Sequence, residues 1–321
     1  MSIGKILRFE FEQQTHDNLR QVLLHPLVCG CRLLRYLNHD DMKTQRLLLR
    51  NLAQGLPDRL AGEYQEEIEN IRAFSPDEHP VIPYPYLDRK PVTLESGLDR
   101  NRRLPYVLHK GRPLFGRRSQ SLAEVECLYR WYVEEEGLLG TGRRSKSPHS
   151  YVSDDFKVEE GDIVVDIGCS DALFAFDNAE AAGKIYLFES WKRWLPALEA
   201  TFEPFREKTH VFSRLVSDKT DKREIRLDDA IHEPASSHYF IKMDIEGDER
   251  VVLASSADFL RRNKVKLSCC VYHRQDDAEV ISAMLKEMGF SVRYSDGYML
   301  PLFNDIVCPY FRHGVVYARN F

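Results

Sequence analysis

The run Gly161-Asp-Ile-Val-Val-Asp-Ile-Gly-Cys-Ser-Asp-Ala-Leu-Phe174, followed one helix length later by Lys184-Ile-Tyr-Leu-Phe-Glu189, constrains this chain more than any other stretch. Asp162 to Ile167 is a short, β-branched apolar run bounded by turn residues, which reads as a strand buried on both faces of a parallel sheet. Gly168 lets the backbone turn sharply and approach a ligand with no Cβ in the way. Asp171 to Ala182 has the length and composition of a helix whose first N–H groups face the same crevice. Glu189 ends the second strand, where a carboxylate accepts hydrogen bonds from both hydroxyls of a ribose. Two strands and a helix thus converge on one nucleoside.

The missing glycines narrow the ligand. A dinucleotide site wants G-x-G-x-x-G, so that a pyrophosphate can rest on the helix N-terminus. Here the three positions are Gly168, Ser170 and Leu173, and only the first is glycine. Asp166, two residues before it, repels phosphates but suits a cationic sulfonium and an ammonium group. These residues favour S-adenosylmethionine over a nicotinamide dinucleotide. Taken alone, Asp-Ile-Gly is equally a plain strand end and turn; Glu189 at the expected spacing is what weights the functional reading.

At 321 residues the chain has room for about two domains with sizeable cores. A net charge of −5 and no recognisable binding module argue against a nucleic-acid partner. The first residues, Met1 to Glu12, break their apolar character with charge too early for a signal peptide, and no segment is long enough to span a bilayer. A cytoplasmic location, with no membrane partner, is the expectation. Seven cysteines scattered along the chain suggest no disulfide framework. Cys29-Gly-Cys31 and Cys269-Cys270 lack the paired spacing of a zinc site and read as small core residues.

Three regions follow. Residues 1–90 form a helical N-terminal region, with leucines at helical spacing at Leu19, Leu23, Leu24, Leu47, Leu48, Leu52 and Leu56. It closes on a proline-rich stretch, Ser75 to Tyr86, that ends any helix. Residues 91–150 are a basic lead-in, a helix over Ser121 to Leu138 and a polar linker. Between Arg100 and Ala123 stand seven basic residues and no acid. They read as a solvated surface or as a collar for an anionic substrate such as a phosphorylated or acidic sugar. Residues 151–321 alternate apolar runs with helical patterns, the signature of a parallel sheet with helices on both faces.

Further along, Tyr239-Phe-Ile-Lys-Met-Asp-Ile-Glu-Gly-Asp-Glu249 is a strand that ends in an acidic turn opening a helix. With Asp166-Ile-Gly168 and Glu189, its K-x-D-x-E-G-x-E pattern (Lys242, Asp244, Glu246, Gly247, Glu249) closely resembles the FkbM-type family of class I S-adenosylmethionine-dependent methyltransferases. The resemblance runs from about Ser147 to Phe321 and is absent before Arg100. It implies an α/β fold, a Rossmann-like seven-stranded class I methyltransferase sheet whose last strand, near His313 to Arg319, is antiparallel. The activity it implies is O-methylation of a hydroxyl on a small molecule or glycan. By position, Asp166, Gly168 and Ser170 would hold the methionine part, Glu189 the ribose, and Ser217 with Asp218 the adenine edge. Trp191 is either an adenine-stacking face or a core tryptophan. The chain departs from the pattern at Ala172, where class I enzymes often carry glycine, and at Asp171, an extra carboxylate.

Methyl transfer to oxygen needs positioning and proton removal, so a base is expected at the carboxyl ends of the central strands. Asp244 and His273 are the catalytic candidates, His273 because it follows the apolar strand Val265 to Tyr272. Asp244, Glu246, Glu249 and His273 could alternatively gather a divalent cation; favourable charge in the first turn of a helix is the better account of Glu249, and Glu246 is open between the two. Ser147-Pro-His149 and Tyr151 read as a lid or as a plain linker. The other classes are a methyltransferase-fold scaffold or binding protein without turnover and, more distantly, a nicotinamide oxidoreductase. A homo-oligomer is compatible with the chain.

Overall fold

The computed structural model describes residues 50, 51, 53–56, 62–74, 81–88, 94–135, 143–234, 237–301 and 308–321. The chain divides into two compact units, Met1–Pro83 with Leu300–Arg312, and Tyr84–Met299 with His313–Phe321.

In the first unit, helix α1 (Gln65–Ala73) carries Glu66 and Glu67 in its first turn and Arg72 in its last, which complements its dipole. Its apolar side, Ile68 and Ile71, is buried. Arg50 donates to the carbonyls of Ile71 and Phe74, both at 2.8 Å, and so satisfies acceptors that the helix end leaves open. Of the expected leucine stripe only Leu56 lies among the described residues, and it is buried; Leu19, Leu23, Leu24, Leu47, Leu48 and Leu52 fall outside them.

The second unit opens with β1 (Tyr86–Asp88), then an antiparallel meander of β2 (Ser96–Asp99), β3 (Leu104–His109) and β4 (Arg112–Phe115). Lys110 and Gly111, both at positive φ, make the two-residue turn between β3 and β4. Helix α2 (Leu122–Glu135) starts at a reciprocal cap. The Ser121 N–H donates to the Glu124 carboxylate at 2.7 Å, and the Glu124 N–H to Ser121 Oγ at 3.3 Å. Strand β5 (Arg143–Arg144) pairs with β1.

The remaining elements alternate: β6 (Ile163–Ile167), α3 (Leu173–Asp177), β7 (Lys184–Phe188), α4 (Leu195–Thr201), β8 (Thr209–Phe212), and a small parallel pair, β9 (Leu215–Val216) with β10 (Glu224–Ile225). After α5 (Leu227–Ala230) come β11 (His238–Met243), α6 (Glu249–Ser255), α7 (Ala257–Arg262), β12 (Lys264–Cys270), α8 (Asp277–Glu287), β13 (Ser291–Tyr294) and β14 (Val315–Arg319). Seven strands form one sheet in the order β13-β14-β12-β11-β6-β7-β8. β14 runs antiparallel between β12 and β13, and the pairings from β12 through β8 are parallel. This is the Rossmann-like seven-stranded arrangement, antiparallel last strand included.

Successive residues on each strand face opposite cores. Val164, Leu187 and Phe240 pack with α2, α3 and α4 on one side; Val165, Phe188 and Ile241 pack with α6, α7 and α8 on the other. All five residues of β6 are buried, as a continuous apolar run requires of a strand covered on both faces. No helix among the described residues is long and apolar enough to cross a membrane.

Helix α3 is shorter than the pattern over 171–182 suggested: it already ends at Asp177, with Asn178 as its C-cap, and it begins after a left-handed residue, Ala172, at φ +59° and ψ +33°. An alanine there bears about 1–2 kcal/mol of strain that glycine would not. Glycine would instead cost roughly 0.5–1 kcal/mol of chain entropy and about 0.8 kcal/mol for losing a methyl group buried in the core. The opposing effects nearly cancel. Ala172→Gly is therefore expected to change stability by less than about 1 kcal/mol in urea unfolding; a loss above about 2 kcal/mol would show that the methyl group is doing more than filling space.

Candidate active site

The sheet reverses its order at β6, with β7 on one side and β11 on the other, and the carboxyl ends of these three strands open on one cavity of about 630 Å³. A crevice at such a switch point is where open α/β sheets bind ligands. Ile167 sits level with Phe188 on β7 and with Met243 on β11, so the loops that follow start at one height.

Gly168 has φ +75°, and a Cβ on it would come within 2.0 Å of the Asp244 carbonyl oxygen. The two loops touch backbone to backbone. Ser170 and Ala172 are also left-handed, so the chain from Gly168 to Ala172 coils tightly over the end of β6. Glu189 fastens this coil: its Oε2 accepts the Ser170 N–H at 3.0 Å and its Oε1 accepts the Trp191 N–H at 2.7 Å. Each oxygen keeps a lone pair for the cavity that the residue lines.

Under the loop, the Lys242 ammonium lies 3.0 Å from Asp166 Oδ1 and donates to the Gly168 carbonyl at 2.9 Å. Burial pushes the Asp166 carboxyl above its ordinary pKa, against the pull of Lys242. Asp171 is likewise pushed up by burial, to about 6, and accepts the Leu173 N–H at 3.0 Å. That bond ties it to the first residue of α3, and it also lines the cavity.

Asp244 follows β11 and faces the cavity. Its Oδ2 accepts the Tyr151 hydroxyl at 2.8 Å, its Oδ1 the Tyr272 hydroxyl at 3.4 Å, and His149 Nε2 stands 3.9 Å from Oδ2. Burial opposes its charge, but Lys242, His149, His273 and the Tyr151 hydroxyl outweigh it and hold the carboxyl below its usual range. His149 and Tyr151 line the cavity as buried wall, and the Tyr151 ring packs edge-on against Phe174. They are part of the floor, and neither a lid nor a linker.

His273 stands behind Asp244. Its Nε2 is 3.4 Å from Asp244 Oδ1 and its Nδ1 is 3.0 Å from Glu249 Oε1, while its side chain is 3% exposed and is not part of the cavity lining. Burial works against a charge on this ring; the Glu249 hydrogen bond and the charges of Asp244, Glu249 and Glu246 prevail and raise its pKa. Glu249 also accepts the Ile245 N–H at 3.0 Å, which ties α6 to the loop. Asp244, Glu249 and His273 each bring one ligand atom within 4.8 Å of the others, a spacing a metal ion could use, while Glu246 is exposed at their edge.

Trp191, 44% exposed, and Trp194, which packs into the core, both line the cavity. Ser217 and Asp218 fall just beyond the cavity wall, which at that end is Arg214, Leu215 and Val216; the Ser217 hydroxyl donates to Asp218 at 3.1 Å. Arg117, one of the seven basic residues read as a solvated surface or an anion collar, also lines the cavity, as do Leu128 and Tyr132, which sequence patterning did not single out.

Residues 175–292 match the family model described as Methyltransferase FkbM domain. That span includes Glu189, the Lys242 to Glu249 motif and His273; Asp166, Gly168 and Ser170 precede it. That stretch of the chain is thus similar to the methyltransferase FkbM domain. Among solved structures, the methyltransferase FkbM from Methylobacillus flagellatus KT is similar at 19% identity, over 52% of this chain and 45% of that one, with a TM-score of 0.41. An S-adenosylmethionine-dependent O-methyltransferase from Thermotoga maritima is similar at 14% identity, over 51% and 60%, with a TM-score of 0.33. The chain thus spans less than half the length of the Methylobacillus protein. A comparison with curated proteins gives no match.

The methyl donor that this family implies fits the residues present. The cavity lies within the size range of small-molecule sites, a strand-end carboxylate with spare lone pairs suits a ribose, and the acids of the loops suit a sulfonium and an ammonium group.

Proposed function

We propose that this protein is an S-adenosylmethionine-dependent O-methyltransferase acting on a hydroxyl of a small molecule or glycan. The observation that carries the reading is the convergence of Gly168, Glu189 and Asp244 on one cavity from three level strand ends. When bound, the cofactor supplies an electrophilic methyl group on a positively charged sulfur. Asp166, Gly168 and Ser170 shape the seat for its amino-acid part, Glu189 holds the ribose, and Trp191 offers a face to the base. Ser217 and Asp218 support the adenine end from behind Val216.

Among the charged groups that line the cavity, Asp244 at the end of β11 is the one assigned to an acceptor hydroxyl. Its carboxylate, with His149 and Tyr151 beside it, orients that hydroxyl and receives its proton. His273, raised in pKa and out of the cavity, is a positioning residue that acts through Asp244. The scaffold reading gains nothing from Ala172, since alanine takes the backbone conformation a glycine would. The cytoplasm as location, and the absence of nucleic-acid and membrane partners, remain part of the proposal, as does compatibility with a homo-oligomer.

Calorimetry with S-adenosylhomocysteine tests the reading. The wild type is expected to bind, and Glu189→Ala to bind roughly 30-fold more weakly, the effect of losing charged hydrogen bonds to a ribose. Wild-type protein that binds no S-adenosylhomocysteine would overturn the methyl-donor assignment, and equal binding by both proteins would remove Glu189 from it.

A further inference from the structure

The basic residues between Arg100 and Ala123 do not behave alike. Arg102 pairs with Asp99 at 2.7 Å and Glu203 at 2.6 Å, Lys110 with Asp177 at 2.6 Å, and Arg112 with Glu180. These cations are spent on acids of the surrounding elements. Arg100, Arg103, Arg117 and Arg118 have no ion pair among the described residues, and of these four Arg117 lines the cavity.

Its guanidinium lies against two indoles. The central carbon is 4.4 Å from the Trp191 ring centroid and 4.9 Å from that of Trp194. Cation–π contact of this kind fixes a guanidinium and leaves its in-plane N–H groups to bond elsewhere. Its Nε is buried with no hydrogen-bond partner among the described residues. A buried donor left unmet is costly, and a guanidinium edge matches an oxyanion in two parallel bonds. Arg214 adds a second guanidinium to the same lining; it donates to the Asp221 carbonyl at 3.4 Å and lies 5.9 Å from the Phe212 ring centroid. The strand-end loops contribute acids to the same cavity, among them Glu189 and Asp244. Such a lining suits a ligand that carries both a cation and an anion.

We propose that Arg117, held flat by Trp191 and Trp194, is the oxyanion-binding residue of this cavity and takes a carboxylate or phosphate of the bound ligand. The identity of the ligand rests on the methyl-donor reading. Two sources share the chemistry: the α-carboxylate of the donor's amino-acid end, and an acidic group on the acceptor.

The test compares S-adenosylhomocysteine with 5′-methylthioadenosine, which has the same nucleoside and no amino-acid end, by calorimetry on wild type, Arg117→Lys and Arg117→Met. If the donor carboxylate is the partner, Arg117→Met weakens S-adenosylhomocysteine at least tenfold and leaves 5′-methylthioadenosine within twofold. Arg117→Lys, which keeps the charge and loses the fork, falls between. Retained 5′-methylthioadenosine binding also shows that the pocket has folded. If S-adenosylhomocysteine binding is unchanged, tryptophan fluorescence of the S-adenosylhomocysteine-loaded protein is titrated with glucuronate and with inorganic phosphate. A saturable response in the wild type that disappears in Arg117→Met assigns the acceptor's anion. Equal weakening of both nucleosides, or no change in either nucleoside together with no anion response, overturns the proposal. Wild-type protein that binds neither nucleoside removes the methyl-donor reading instead, and the same anion titration of the unliganded protein then decides on Arg117 alone.

Discussion

Gly168→Ala is expected to lose about 2–5 kcal/mol of stability, from left-handed strain of about 1–2 kcal/mol and a forced overlap of about 1–3 kcal/mol. The added Cβ would sit 2.0 Å from the Asp244 carbonyl oxygen and 2.9 Å from Ile245 Cγ2. A backbone oxygen cannot move aside as the end of a side chain can, so the β6 and β11 loops must part. Binding of S-adenosylhomocysteine should fall with stability, since the loop between Glu189 and Asp244 is what moves. Gly161→Ala is the control: φ is +85° there, with nothing within 4 Å of the new Cβ. It should cost only the backbone strain, about 1–2 kcal/mol. Urea unfolding of both variants decides the matter, and equal losses would mean that the Gly168 contact with Asp244 has no energetic weight.

Lys242→Met should be similarly severe, for an electrostatic reason. The substitution strands the Asp166 carboxylate, 1% exposed, without its cation. Breaking a buried pair on one side costs about 3–5 kcal/mol. The sign of the pH dependence follows from the same pair. Burial already raises the Asp166 pKa against the pull of Lys242, and removing that pull raises it further. An acid whose folded pKa lies above its unfolded value destabilises the fold as pH rises between the two. The deficit should therefore be larger at pH 8 than at pH 5, when measured by urea unfolding. Lys242→Met with Asp166→Asn, which removes both charges, should recover much of the loss. A single variant as stable as wild type at pH 8 would show that the ion pair carries no net energy.

Much of this was legible in the chain, for reasons tied to particular residues. Strand β6 was readable because a run buried on both faces needs no periodicity to be recognised, and Gly168 because few other residues tolerate its backbone. The antiparallel last strand came from the FkbM resemblance, and β14 occupies Val315–Arg319. The meander of β2 to β4 was hidden: Pro105 and Pro113 mask the strand pattern, although Lys110-Gly111 is a hairpin turn signal of the right length. The charge imbalance of that segment was visible, but its balance was not, because Glu180 and Glu203 reach it from far along the chain. Contacts of this kind leave no local trace. His273 shows the same limit: its place at a strand end was correct, while the side of Asp244 on which it would stand depended on Glu249.

The level pairing of Ile167, Phe188 and Met243 has a consequence for how such a protein changes over time. The heights of Gly168, Glu189 and Asp244 above the sheet are fixed by backbone ladders, which tolerate almost any side chain that keeps the strands buried. Arg117, Leu128 and Tyr132, which close the same cavity, come from a segment outside those ladders. The two halves of the site can therefore mutate under separate constraints. Substitutions in that wall can reshape the cavity while the strand ends that form its floor stay in place.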